Sequence, residues 1–197
     1  SLDNKESYFG YYDKSPINST NEYIIFQSTN INTKNIPDPT VPVDIVLYNV
    51  IHKTYEIAGK SHTYNWQQGT RLMWIDKYKF IYNDFDSVGN KYLSKIYDLK
   101  SKETKFIDLP IYDCFEDQFA ISLNFERLNI IRTDYSYSNL GDDIDWKNNS
   151  NDGLFYIDLQ NNTSKPIITL QEIIKLQYKE TMKFAKHKFN HIMISPD

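Results

Sequence analysis

Short apolar runs alternate with polar turns along most of the chain, a pattern that predicts strands rather than helices. Three runs share one motif: Leu47-Tyr48-Asn49-Val50, Ile96-Tyr97-Asp98-Leu99 and Tyr156-Ile157-Asp158-Leu159. Each is followed by a polar turn, a hydroxyl residue (Thr54, Thr104, Ser164) and a second short run. Asn and Asp suit such turns, because they bond their own backbone and tolerate left-handed conformations. Upstream runs at Tyr23-Ile24-Ile25-Phe26, Lys79-Phe80-Ile81-Tyr82 and Leu128-Asn129-Ile130-Ile131 take matching places. Ahead of these lie residues 12–17, 71–75 and 119–123, which complete four strands per unit.

Four short strands in about 50 residues is the period of a β-propeller blade. The pattern therefore predicts an all-β, single-domain chain of about three four-stranded blades, over residues 8–60, 61–110 and 111–170. A polar insertion, residues 138–152, lengthens the third unit. A helix is expected over 170–178, because Thr169 and Glu172 match a capping box and Leu170, Ile173, Ile174 and Tyr178 share one helical face. It falls in a connection over 169–186, and residues 187–197 read as the start of a fourth blade. Propellers have 4–8 blades. The chain is thus expected to be half of a longer ring, or to be completed by a second chain.

Composition supports the strand reading. Sixteen Tyr and eleven Phe accompany only three Ala. The net charge of −4 excludes a basic nucleic-acid binder. No apolar run approaches the ~20 residues needed to span a bilayer. No signal segment opens the sequence, so a cytoplasmic location is expected, with a processed secreted or periplasmic form as the alternative. The single cysteine, Cys114, excludes an internal disulfide and reads as buried and inert. No phosphate-cradling glycine loop and no nucleophile elbow occurs.

Four clusters carry candidate chemistry. In Tyr11-Tyr12-Asp13-Lys14-Ser15-Pro16, Asp13 is an acid/base candidate and Lys14 an anion contact, against a turn ion pair. In residues 62–71, His62 is a candidate base, while Asn65, Gln67 and Arg71 offer amide and guanidinium forks beside the Trp66 ring. That mix suits sugars; the competing reading is a loop with Trp66 in the core. Arg132 and Tyr135 form a cationic and aromatic rim if residues 132–137 are extended, with Tyr135 and Tyr137 on one face. His187 and His191, four apart, are candidate metal ligands, with His62 as a third and channel-lining hydrogen bonds as the alternative. His191 is also a candidate base.

Residues 9–16, 65–72, 120–128 and 190–197 resemble blocks of a bacterial β-propeller family associated with polysaccharide-biosynthesis loci. The Ser195-Pro196-Asp197 ending is also similar to the repeats of Tol-type propellers and of oligogalacturonate lyases. These resemblances imply carbohydrate handling, with an acidic or phosphorylated sugar at the channel mouth. The lyase resemblance implies a divalent metal held by His and Gln; otherwise no cofactor is expected. The leading expectation is a glycan-binding propeller. A non-catalytic protein-interaction scaffold is the main alternative, and a metal-dependent lyase or hydrolase the second.

Overall fold

A computed structural model describes residues 4–141, 144–147 and 149–195. It is mostly β, with three four-stranded antiparallel sheets and two short helices. The first sheet holds β1 (Glu6–Tyr8), β2 (Tyr23–Thr29), β3 (Val43–Asn49) and β4 (Thr54–Ser61). The second holds β5 (Met73–Asp76), β6 (Lys79–Asp86), β7 (Lys91–Asp98) and β8 (Thr104–Ile107). The third holds β9 (Asp113–Phe115), β10 (Phe119–Ser122), β11 (Gly153–Asp158) and β12 (Thr163–Thr169). In every sheet the strands lie side by side in chain order.

The repeated motif is a hairpin device. Asn49 Oδ1 accepts the backbone N–H groups of Ile51 and His52. Asp98 Oδ1 accepts those of Lys100 and Ser101, and Asp158 Oδ1 those of Gln160 and Asn161. Each turn then passes through one residue at positive φ: Lys53, Lys102 and Asn162. The anchor thus bonds its own turn before the next strand begins.

Strand alternation gives each sheet two apolar faces. Ile25, Ile45 and Leu47 of the first sheet pack against Phe80, Tyr82, Tyr97 and Leu99 of the second. The opposite face of the second sheet, with Ile75, Ile81, Ile96 and Ile107, packs against Ala120, Ile157 and Leu159 of the third. A third cluster joins Tyr92, Tyr112, Leu123, Phe125, Leu128 and Tyr137 beneath the insertion between β10 and β11.

Several expectations need correction. Residues 128–131 are not a strand but part of α1 (Phe125–Ile131), capped by the Asn124 side chain on the Arg127 N–H. Their place in the sheet belongs to Phe119–Ser122, and β9 supplies the first strand of that unit. Residues 12–17 form no strand; only Ile17 bridges to Ile24, and Glu6–Tyr8 makes the edge. Residues 133–135 form a 3₁₀ turn, so the supposed shared face of Tyr135 and Tyr137 does not exist. Tyr137 is core. Residues 187–195 carry no strand, and Pro196 and Asp197 lie outside the described residues.

The expected helix is present as α2 (Leu170–Leu176). Its capping box forms in both directions between Thr169 and Glu172. Among the described residues no helix is long and apolar enough to cross a membrane.

Candidate functional site

The site is built where chain segments enter the first strands of the sheets. Arg71 precedes β5 by two residues and Tyr112 precedes β9 by one. The segment at 9–14 and the returning segment at 190–194 lie beside them. Together Tyr11, Tyr12, Asp13, Arg71, Tyr112, His191, Ile192 and Met193 line a cavity of about 80 Å³.

The loop before β5 is held rigidly. Asn65 Oδ1 accepts the N–H groups of Gln67 and Gln68, and its amide donates to Ser136 O at 3.1 Å. Gln27, fully buried in β2, donates to Phe9 O and accepts from the Thr70 N–H. Gly69 sits at φ +60°, and a Cβ there would lie 2.1 Å from Gln27 Nε2, so this position requires glycine. Arg71 follows at φ +52° and His191 sits at φ +55°. Left-handed backbone costs a non-glycine residue roughly 1–2 kcal/mol. Both side chains are aimed at the cavity by backbone that the surroundings must hold in place.

Arg71 is 3% exposed. Its Nε donates to Tyr112 O at 2.7 Å, its guanidinium carbon lies 4.5 Å from the Tyr112 ring centre, and Nη2 lies 3.4 Å from Asp13 Oδ2. Asp13 Oδ1 is buried with no hydrogen-bond partner. Gln68 donates to Tyr112 Oη at 3.1 Å, while its own Oε1 is also buried and unpartnered. Lys14 Nζ lies 2.5 Å from Asp113 Oδ1 and 3.9 Å from Asp13. Tyr11 and Tyr135 flank the His191 ring at 6.3 and 4.8 Å between ring centres. Burial first, then hydrogen bonding with Tyr12 and Tyr135, pushes the Tyr11 phenol well above its ordinary range. It therefore stays a neutral hydroxyl.

The structure thus brings Asp13, Lys14, Arg71, His191 and Tyr135 together and sends the other candidates elsewhere. Asn65 is buried and commits its acceptor and donor to the loop. Trp66 donates to Asn35 O and packs on Tyr8 and Tyr64, so its ring braces the 30–42 loop. Gln67 points outward as an exposed residue. Arg132 is paired with Asp134 through two bonds and lies over Tyr135, which makes it the outer support of that ring.

The histidines do not converge. The His62 ring bonds Pro39 O and the His187 ring bonds Met182 O. Among the described residues, no three His, Cys, Asp or Glu side chains are grouped to hold a metal. Desolvation pushes the Cys114 thiol far up, opposite to an activated nucleophile.

Sequence reasoning missed Tyr112, Asp113 and Gln68. Tyr112 is one of sixteen tyrosines and directly precedes β9, and no local sequence cue singled it out.

No family model matches the chain, and no curated protein matches it. Among solved structures it is similar to that of the apo AtxE2 isopeptidase, at TM-score 0.48 and 12% identity, over 89% of this chain and 32% of that one. The chain spans about a third of the length of that protein.

Proposed function

We propose that the chain is part of a β-propeller that binds one edge of a hydroxyl-rich carbohydrate in the Asp13–Arg71–Tyr112 cavity. The observation that carries this reading is the buried, unpartnered Asp13 Oδ1, next to an arginine whose guanidinium opens onto the same small space. A buried acceptor without a partner costs about 1–3 kcal/mol, which a ligand hydroxyl would recover. Arg71 would donate to the neighbouring sugar oxygen. Tyr11, Tyr12 and Tyr112 supply ring faces for the C–H edge. A cavity of about 80 Å³ is too small to engulf a whole sugar ring, so the ligand enters by an edge.

The expected acidic or phosphorylated group fits less well than a neutral one. Arg71 is already paired with Asp13 and Lys14 with Asp113, so the local charge is balanced. An added anion would have to displace a carboxylate. His191 is the histidine placed for any acid–base step, since its ring sits at the cavity and those of His62 and His187 face backbone carbonyls elsewhere.

Titration calorimetry of the chain with neutral and uronic-acid oligosaccharides tests the reading. Saturable binding of a neutral glycan, weaker for its uronic counterpart and lost in Asp13→Ala, is expected. No heat with any glycan would overturn it. The interaction-scaffold reading has one observation in its favour: Tyr12 and Met193, on the cavity rim, are 86% and 74% exposed. Large exposed apolar side chains clustered at one site suit a protein partner.

A further inference from the structure

One stretch contributes almost nothing to the core. From 171, inside α2, to 186, every residue is exposed except the half-buried Ile174 and Met182. Both ends of the stretch are fastened. At its start Leu170 is buried, its N–H donates to Asp152 O at 2.8 Å, and the Thr169–Glu172 capping box closes the helix. At its end Arg127 Nη1 donates to His187 O at 3.2 Å, and Phe189 packs on the cluster that holds Phe125 and Leu128. A 3₁₀ turn at Glu180–Met182, with the His187 ring on Met182 O, shapes the part between. The stretch is therefore an internal loop pinned at both ends, not a loose tail.

Its charge is opposite to that of the chain. Residues 175–188 hold Lys175, Lys179, Lys183, Lys186 and Lys188 against Glu180 alone, a net +4, whereas the whole chain carries −4. Elsewhere seven lysines sit in ion pairs with carboxylates, and among the described residues none of these five does. Lys183 and Lys186 lie over the Phe184 and Trp146 rings instead. Like charges crowded together repel, and an anionic partner turns that cost into attraction. Lysines are almost never buried without a partner, so an apolar neighbour could not cover them.

Large apolar side chains are set between the lysines. Leu176 and Phe184 are 72% and 90% exposed, and Ile173 and Tyr178 are exposed as well. Lysines interleaved with such side chains suit a membrane interface: the apolar tips enter the acyl boundary while the lysine stems lie along it and their ammonium groups reach lipid phosphates. Nucleic acid fits less well, because Ile173 and Leu176 have no ring to stack on a base and the stretch has no arginine to fork onto one. A protein partner is read through fixed polar contacts, and these charges ride on long flexible stems. Among the described residues no helix can cross a bilayer, so the contact is with its surface.

We propose that the 171–188 loop docks on an anionic lipid bilayer, with Leu176 and Phe184 in the headgroup boundary and the lysines on lipid phosphates. Each lysine at such a surface strengthens binding about fivefold, so the cluster rather than any single residue sets the affinity. The inference rests on the charge and exposure of this loop and is independent of the carbohydrate reading.

Co-sedimentation of the chain with vesicles is the test. Phosphatidylcholine vesicles carrying about 30% phosphatidylglycerol should bind it at least roughly tenfold more tightly than phosphatidylcholine alone. Raising the salt from about 0.1 M to 1 M should release it. Lys179→Glu combined with Lys183→Glu should weaken binding by at least roughly tenfold, and Phe184→Ser by roughly fivefold or more. All three positions are exposed, so far-UV circular dichroism should stay unchanged and exclude misfolding. Equal binding to neutral vesicles, or no binding to anionic ones, would overturn the proposal. So would a Phe184→Ser chain that binds as the wild type does, because charge alone would then suffice and a soluble acidic macromolecule would be the better occupant.

Discussion

Lys14 and Asp113 form an ion pair at 2.5 Å across sequence positions 99 residues apart, and the pair does more than join two loops. The second oxygen of Asp113 accepts the Ile194 N–H at 2.9 Å. One carboxylate, with its side chain 2% exposed, therefore ties both the 9–16 segment and the returning 188–195 segment to the start of β9. These two segments bring Asp13 and His191 to the cavity. Asp113 is thus a positioning residue for a site it does not line.

Replacing Asp113 by alanine should free the returning segment before it harms the sheets. Hydrogen exchange read residue by residue should show the Ile194 amide losing protection by at least roughly tenfold, with global stability lowered by about 1–3 kcal/mol. Lys14 can turn to water, since its side chain is 24% exposed, which keeps the loss modest. Equal loss of protection across the second sheet would refute this local role.

Asn83 should prove the costliest single amide in the core. It is fully buried, donates to Ile111 O and Tyr137 Oη, and accepts from Ser94 Oγ and the Ile111 N–H. Asn83→Ala leaves Ile111 O, the Ile111 N–H and Tyr137 Oη without partners in a dry interior, while Ser94 Oγ keeps Leu109 O, for a loss on the order of 3 kcal/mol. The urea midpoint measures it. A loss below about 1 kcal/mol would mean that neighbouring groups re-pair readily.

Arg127 and Asp152 anchor the insertion. Their side chains are 3% and 8% exposed at 2.5 Å separation, and the Arg127 guanidinium also reaches His187 O and Asp145 O. Breaking such a pair from one side strands a buried charge, at about 3–5 kcal/mol. Arg127→Met should therefore destabilise strongly, whereas Arg127→Met combined with Asp152→Asn should recover part of the loss. Thermal melts of both variants decide the matter, and a double variant no better than the single one would place the cost in the lost carbonyl bonds instead.

The strand repeat was legible because its cue is local. Asn49, Asp98 and Asp158 bond only to residues two and three ahead, so turn chemistry and spacing reveal them together. The Thr169–Glu172 capping box was legible for the same reason. The helix α1 was not, since Leu128, Ile130 and Ile131 read as an extended apolar run ending in two β-branched residues, while Asn124 capping Arg127 sits outside that run. At the site, Arg71 and His191 stood out as rare residue types. Tyr112 could not stand out among sixteen tyrosines. Asn65 and Trp66 misled because polar side chains that bond distant backbone look, in a sequence, the same as side chains free to bind a ligand.

The turn anchors also carry a testable acid response. The side chain of Asn161 and the backbone N–H groups of Asn161 and Gln160 hold the Asp158 carboxyl below its ordinary value of 3.8. A group lowered in the folded state adds stability that is complete above the ordinary value and is lost as pH falls through the folded one. Asp158→Asn removes that titration yet keeps the acceptor oxygen, as Asn49 does in the first sheet. The variant should fold with the same hairpin, and its Tm should fall less than that of the wild type between about pH 4.5 and pH 2.5. Asp38, Asp86 and Glu172 are lowered too, so both proteins weaken in acid and the difference between their curves is the quantity to read. Parallel curves would show that the Asp158 carboxylate contributes nothing beyond the geometry that an amide supplies equally well.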